Sequence, residues 1–319
     1  MLNISFSERT HVAVGVILNA AGEVLITRRA AQSHQGGLWE FPGGKLESGE
    51  FVQEALAREL YEELGIQVQQ SEPLIRILHD YTDKHVLLDV WSVTAYQGTA
   101  QGREGQPLCW LAPNKLDARV FPQANLPIIK ALQLPHEYLI TGEFSDQDDF
   151  SRRVQTALDS GIRLLQFRPR CSLSTLEYAE LVEIAIKLTR PCAAKLLLNT
   201  SIEEFSKHDA DGLHMNSNVL MTCKQRPLNE NKYLSASVHN EDELMQANKI
   251  GVDFIMLSPV LPTQSHPGAA TLGWDRFYEL TEKSLSPVFA LGGMDSGHLK
   301  LARQKGAQGI AAITAFWEH

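Results

Sequence analysis

Eight short apolar runs, separated by stretches of helical character, constrain this chain more than any other feature. They fall at 138–141, 164–167, 196–199, 212–215, 234–238, 254–257, 288–291 and 309–313, each bounded by Gly, Pro or Asn. Runs this short suit a buried strand and are too short for a helix. Buried strands that alternate with helices pair in parallel, because each crossover returns the chain to the same end of the sheet. Eight such units imply a (β/α)8 barrel, with an incomplete or doubly wound sheet as the competing arrangement. The span 138–317 is shorter than the ~200 residues usual for this barrel, so the connections must be short. Little chain follows the eighth run, so its helix is missing. That flank needs cover from the preceding domain or from a second subunit, which leaves a homo-oligomer open.

The residues before this region have another rhythm. A Val- and Ile-rich strand is predicted at 11–18, a turn around Gly22 at 19–23, and a partner strand at 24–27. A Gly- and Pro-rich loop at 35–49 leads into a helix at 51–64, which Gly65 caps. Strands at 75–79, 85–96 and 108–111 and a helix at 125–132 complete the set. The pattern restarts near Pro135, so two domains are expected, at 1–134 and 135–319, in keeping with about 150 residues per domain. The chain carries 29 Lys and Arg against 38 Asp and Glu, a net charge of −9. That balance argues against a binder of duplex nucleic acid, which needs cations facing phosphates. Four cysteines without a CxxC pair point to a reducing cytoplasm. No apolar run approaches the ~18 residues of a membrane span, and no export signal is visible.

The predicted helix at 51–64 carries the first chemistry. Glu59, Glu62 and Glu63 stand at i, i+3 and i+4 and share one face, where like charges repel. A solvated acidic face is the simplest account. A divalent cation would turn the repulsion into binding, and hard Mg2+ prefers carboxylate, carbonyl and phosphate oxygens. Gly43 and Gly44 let the backbone approach such an ion and offer a carbonyl. Arg58 can pair with Glu62 and hold the array. Val52, Leu56, Leu60 and Leu64 form the opposite, buried stripe.

Gly44, Glu50, Arg58-Glu59-Leu60, Glu62-Glu63 and Gly65-Ile66 together resemble the Nudix box. The resemblance implies an α/β/α sandwich and Mg2+-dependent hydrolysis of a nucleoside diphosphate linked to another group, with Mn2+ as the alternative metal. HVAVGVI, ITRRA at 26–30, WEFPGGK at 39–45, EGQP at 104–107 and FPQAN at 121–125 extend it to the MutT-type 8-oxo-dGTP diphosphatases. By that resemblance Mg2+ sits on the Gly43 carbonyl, Glu59, Glu62, Glu63 and Glu104. Glu59 orients or deprotonates the attacking water, supported by Arg58 and Glu104, and the products are 8-oxo-dGMP and pyrophosphate. Arg29 and His34 contact phosphates or sugar, and Glu40, Phe41, Pro42, Gly43 and Lys45 line the pocket. Asn125 reads the purine edge with an amide that both donates and accepts, or else caps the helix that follows. Tyr81, Asp83 and Lys84 occupy a loop where the family often has Phe and Arg.

In the second domain, QFRPR, LLLNT, ADGLH, SASVH, PVLPTQS, ALGGMD and GAQGIAAI resemble the thiamine phosphate synthase/TenI family of compact TIM barrels. Polar residues at the run ends, where such barrels place their sites, are Gln166, Arg168, Arg170, Asn199, Thr263, Ser265, Gly292 and Gly293. They are expected to hold a phosphorylated, thiamine-related ligand. The family's Mg2+-binding acids are missing: Thr200 follows Asn199, and 215–218 contains no acid. His266 stands where a Lys is expected, and Pro259 where the tautomerases have a His. A ligand-binding module that makes thiamine phosphate poorly is therefore expected. Two other readings stay open. Both halves could be active, or the Nudix half could act on damaged thiamine diphosphate.

Overall fold

The computed structural model describes residues 9–32, 35–82, 84–117, 120–169, 173–263, 268 and 270–317. The chain divides into two compact units, Met1–Gln133 and Leu134–His319.

The first unit contains β1 (Thr10–Ile17), β2 (Val24–Arg28), β3 (Trp39–Glu40), β4 (Gly43–Lys45), α1 (Val52–Leu64), β5 (Gln67–Asp80), β6 (His85–Gln97), β7 (Leu108–Leu111) and α2 (Leu126–Gln133). One sheet has the order β4-β1-β6-β5 and a second the order β3-β2-β7. The expected β1–β2 pairing is replaced by a single bridge, Leu18 to Val24. β1 is apolar on both faces, so it takes a central place between β4 and β6, parallel to β6. Its Ala13 and Ile17 pack with Leu56, Leu60 and Leu64 of α1. Val14 and Val16 pack on the other side with Ile128 and Ile129 of α2. A helix on each face makes this an α/β/α sandwich. Glu54 Oε2 accepts from the Phe51 N–H at 2.9 Å where α1 starts. Gly65, at φ 73°, ends it by donating to the Tyr61 carbonyl. The expected loop at 35–49 contains β3 and β4. Gly43 lies so close to β1 that a Cβ there would stand 2.1 Å from the Ala13 carbonyl oxygen, so only glycine permits this pairing.

The second unit is a closed parallel barrel. Its strands are β8 (Glu137–Ile140), β9 (Leu164–Phe167), β10 (Lys195–Asn199), β11 (Gly212–Met215), β12 (Tyr233–Val238), β13 (Phe254–Leu257), β14 (Val288–Leu291) and β15 (Gly309–Ala312). β15 pairs with β8 to close it. The interior is filled by Tyr138, Phe254 and Phe289, which meet edge to face at 5.5–5.6 Å. The outer helices are α3 (Gln147–Asp159), α4 (Thr175–Thr189), α5 (Ile202–Phe205), α6 (Ser217–Thr222), α7 (Glu241–Ile250), α8 (Gly273–Thr281), α9 (Leu299–Gln304) and α10 (Thr314–Trp317). Four of them are two turns or less, which is how eight units fit so short a chain. Asp146, Ser174, Ser201, Asn216 and Asn240 cap their helices by accepting the N–H three residues on.

The flank beyond the eighth strand is filled from within the barrel. α10 seats Trp317, 2% exposed, against Phe150. Its indole Nε1 donates to the Glu143 carbonyl at 2.7 Å, and Arg153 donates to the Trp317 carbonyl at 3.2 Å. Among the described residues no helix is long and apolar enough to cross a membrane.

Candidate functional site

In the first unit a pocket of about 260 Å3 gathers Arg29, Glu40, Phe41, Gly43, Lys45, Tyr81 and Asn125, residues that come from four separate stretches of chain. Phe41 stacks on Phe121 at 5.6 Å and forms part of its wall. Pro42 departs from the expectation. It is buried, and its carbonyl accepts from the Gly15 N–H at 2.8 Å, so it fixes the strand rather than lining the pocket. Lys84, from the same loop as Tyr81, joins the lining with its Nζ 5.4 Å from the Tyr81 ring centre. Arg29 pairs with Glu40 at the rim. His34 and Asp83 lie outside the described residues. Asn125 is 8% exposed and its Oδ1 has no hydrogen-bond partner. It ends the 3-10 turn Gln123–Asn125, which runs directly into α2, so its side chain does not cap the helix. A buried acceptor without a donor is costly in isolation, by about 1–3 kcal/mol.

The carboxylates stand beside this pocket, but they do not share one face as simply as their spacing implies. Arg58 takes Glu50 as its main partner, with both contacts at 2.9 Å, and reaches Glu59 at 2.8 Å. Glu62 is only a 3.5 Å contact and is 57% exposed. The i, i+4 pair expected for Arg58 thus gives way to a two-pronged grip on Glu50, because a guanidinium fork matches a carboxylate edge. Glu59 sits under Gly44, where a Cβ would fall 2.1 Å from its carboxyl carbon. Glu63 turns the other way, toward Glu40 and Glu104 across a cleft that also contains Gln106. Burial, followed by repulsion from Glu40, Glu104 and Glu59, pushes the Glu63 carboxyl up to about 8. The Gly43 N–H donates to it at 3.3 Å. Burial also raises Glu40, against the pull of Arg29. Gln106 was not singled out in the sequence. Its amide ties the Glu104 turn to the end of α1, accepting from the Glu104 N–H at 2.9 Å and donating to the Glu63 carbonyl at 3.2 Å.

Among the described residues no three acidic, His or Cys side chains form a ready metal cage. The donor set nevertheless suits a hard divalent cation. It consists of carboxylates and a glycine backbone, and a cation there would offset the burial and the mutual repulsion that disfavour the charged form of Glu63.

The barrel has its own cavity of about 600 Å3 at the C-terminal ends of its strands. Gln166, Arg168, Asn199, Thr263, Gly292 and Gly293 all line it. Arg170 and Ser265, together with His266, lie outside the described residues. Gly292 and Gly293 have φ of 100° and 66°, and a Cβ on either would come within 2.8 Å of 259–262, so both must be glycine. Gln166 is 1% exposed; its Oε1 accepts from Tyr138 Oη at 3.1 Å, and its Nε2 donates to nothing. Behind the cavity wall His214 of β11 is fully buried, with its ring nitrogens 2.7 and 2.8 Å from the hydroxyls of Ser235 and of Ser237, which lines the cavity. Burial, with Arg168 and His239 nearby, lowers its pKa to about 3. A base that weak does not activate a serine; it fixes the Ser237 hydroxyl at the cavity wall.

A pocket flanked by carboxylates in an α/β/α sandwich, followed by a closed parallel barrel with a cavity at its strand ends, defines a Nudix-type hydrolase domain joined to a TIM-barrel domain. The chain belongs to the Nudix family in its first unit and to the thiamine monophosphate synthase family in its second. The family described as "NUDIX domain" matches residues 13–131, and that described as "Thiamine monophosphate synthase" matches 137–316. The first unit is 41% identical over 126 residues to the 8-oxo-dGTP diphosphatase of Escherichia coli (strain K12), covering 40% of this chain and 98% of that one. It is 37% identical over 118 residues to the CTP pyrophosphohydrolase of the same organism, covering 37% and 87%. The second unit is 33% identical over 187 residues to an Aquifex aeolicus protein provisionally named a thiamine-phosphate synthase, covering 59% of this chain and 100% of that one.

Proposed function

We propose that the first unit hydrolyses 8-oxo-dGTP to 8-oxo-dGMP and pyrophosphate in the cytoplasm, and so removes an oxidised nucleotide from the pool. The observation that carries this reading is Asn125 Oδ1, a buried acceptor with no partner in the base pocket. An amide there can accept from a purine N–H and donate to a neighbouring carbonyl. Phe41 supplies an apolar wall and Tyr81 with Lys84 the opposite rim. The Arg29–Glu40 pair stands between this pocket and the carboxylate cleft, which suits it to orient the sugar and phosphates.

Glu59, Glu62, Glu63, Glu104 and the Gly43 carbonyl would hold Mg2+, whose chemistry is to neutralise the triphosphate and acidify a water. Glu59, gripped by Arg58 and closed in by Gly44, would orient the attacking water or accept its proton. Glu63, whose proton affinity is raised, accepts positive charge readily. Arg58 acts at one remove, as a positioning residue that also holds Glu50. The barrel, in the same reading, binds a phosphorylated small molecule at Gly292-Gly293 and Arg168, and Gln166 Nε2 awaits an acceptor on that ligand.

The test is turnover of the full chain with Mg2+ against 8-oxo-dGTP, dGTP and CTP, with nucleoside monophosphate and pyrophosphate measured. A clear preference in kcat/KM for 8-oxo-dGTP is expected. Equal efficiency on CTP would remove the purine assignment of Asn125.

A further inference from the structure

The barrel cavity has an unusual electrical balance. Among the described residues that line it there is no carboxylate. Its polar lining consists of amides and hydroxyls, among them Asn199, Asn216, Ser217 and Ser237, with the His239 imidazole and with Arg168 as fixed positive charge. Glu243, the acid behind His239, is turned onto that imidazole, with its Oε2 2.8 Å from Nδ1. Asn216 is occupied as the cap of α6, accepting from the Val219 N–H at 3.0 Å. Hard divalent cations are held by carboxylates; neutral oxygens alone bind them weakly.

A phosphate monoester carries a charge of about −1.5 to −2 near neutral pH. Among the described residues that line the cavity, the Arg168 guanidinium and the N–H groups of Gly292 and Gly293 can meet that charge. A departing pyrophosphate carries more, and would need a cation that this lining gives no carboxylate to hold. The buried Gln166 Nε2 adds an independent sign of a ligand, since a donor there without an acceptor is costly until something fills the cavity.

We infer that this cavity takes a phosphate monoester of a small acceptor-bearing heterocycle directly, with no divalent cation between protein and phosphate, and that it is not built to release pyrophosphate. The inference rests on the reading above that the barrel holds a phosphorylated ligand.

The experiment is calorimetric titration of the full chain with a thiazole phosphate monoester, in excess Mg2+ and in excess EDTA, for wild type and for Arg168→Gln. Affinities within about twofold of each other in the two media are expected, with Arg168→Gln weaker by about tenfold in both. Binding tighter by about tenfold or more in Mg2+ overturns the cation-free site and leaves the ligand-binding reading standing. Binding that Arg168→Gln does not change means that the monoester sits elsewhere, which also overturns the inference. No binding in either medium removes the ligand-binding reading itself, and the inference with it.

Discussion

At the scale of single residues, the first unit is governed by what lies unpaired. Asn125→Ala removes the orphan acceptor and should cut kcat/KM for 8-oxo-dGTP by about ten- to a hundredfold, the equivalent of roughly 1–3 kcal/mol, while CTP turnover changes little. Equal loss on both nucleotides would mark Asn125 as a packing residue. Glu63→Gln keeps the shape and removes the charge. Turnover should fall by about a hundredfold or more. Its melting temperature without metal should hold, because burial, with Glu40 and Glu104 nearby, already keeps the Glu63 carboxyl largely protonated near neutral pH. Wild-type turnover in this variant would displace the active-site assignment. The candidate site is legible in the chain where Glu59, Glu62 and Glu63 keep a helical spacing, whereas Glu104 and Asn125 stand apart from that spacing and are suggested only by resemblance. Partnerships are less legible. Arg58 could reach Glu62 by helical spacing, and only the folded loop shows that Glu50 offers the better edge.

At the scale of elements, the barrel strands announce themselves, because strands buried on both faces are runs of apolar residues whatever their neighbours. Pairing in the first unit does not. β1 and β2 read as the arms of a hairpin, yet they join different sheets, because β1 has two apolar faces to bury and a hairpin covers only one edge. β3 and β4 are too short to show a period, and β4 is mostly glycine. Gly44 on β4 gives an element-level test. In Gly44→Ala the new methyl meets the Glu59 carboxylate, which must swing off Arg58. Turnover should drop by about tenfold or more with little change in melting temperature, since β4 is an edge strand and its backbone is otherwise unaltered. A fully active variant would show that the position of Glu59 under Gly44 is immaterial.

For the molecule as a whole, division into two units follows from the change of rhythm near Pro135, and each unit carries its own response to conditions. His214 ties barrel stability to pH. Unfolded, its imidazole takes up a proton below about pH 6.5. Folded, it refuses one until about pH 3. The unfolded state therefore binds more protons across that window, and barrel stability is lost as pH falls through it, by up to about 1.4 kcal/mol per unit. Thermal scans from pH 7 to 4 should show the barrel transition falling less steeply in His214→Asn than in wild type. Parallel slopes would mean that burial does not hold the ring neutral. The closure of β15 onto β8 carries a consequence for synthesis. The two strands that seal the cylinder are the first and the last of the eight, so during translation the other strands wait beside an open edge. The sandwich has all its strands long before that. A ribosome stalled ahead of Gly309 would therefore carry a finished hydrolase fold and a barrel still looking for its last stave.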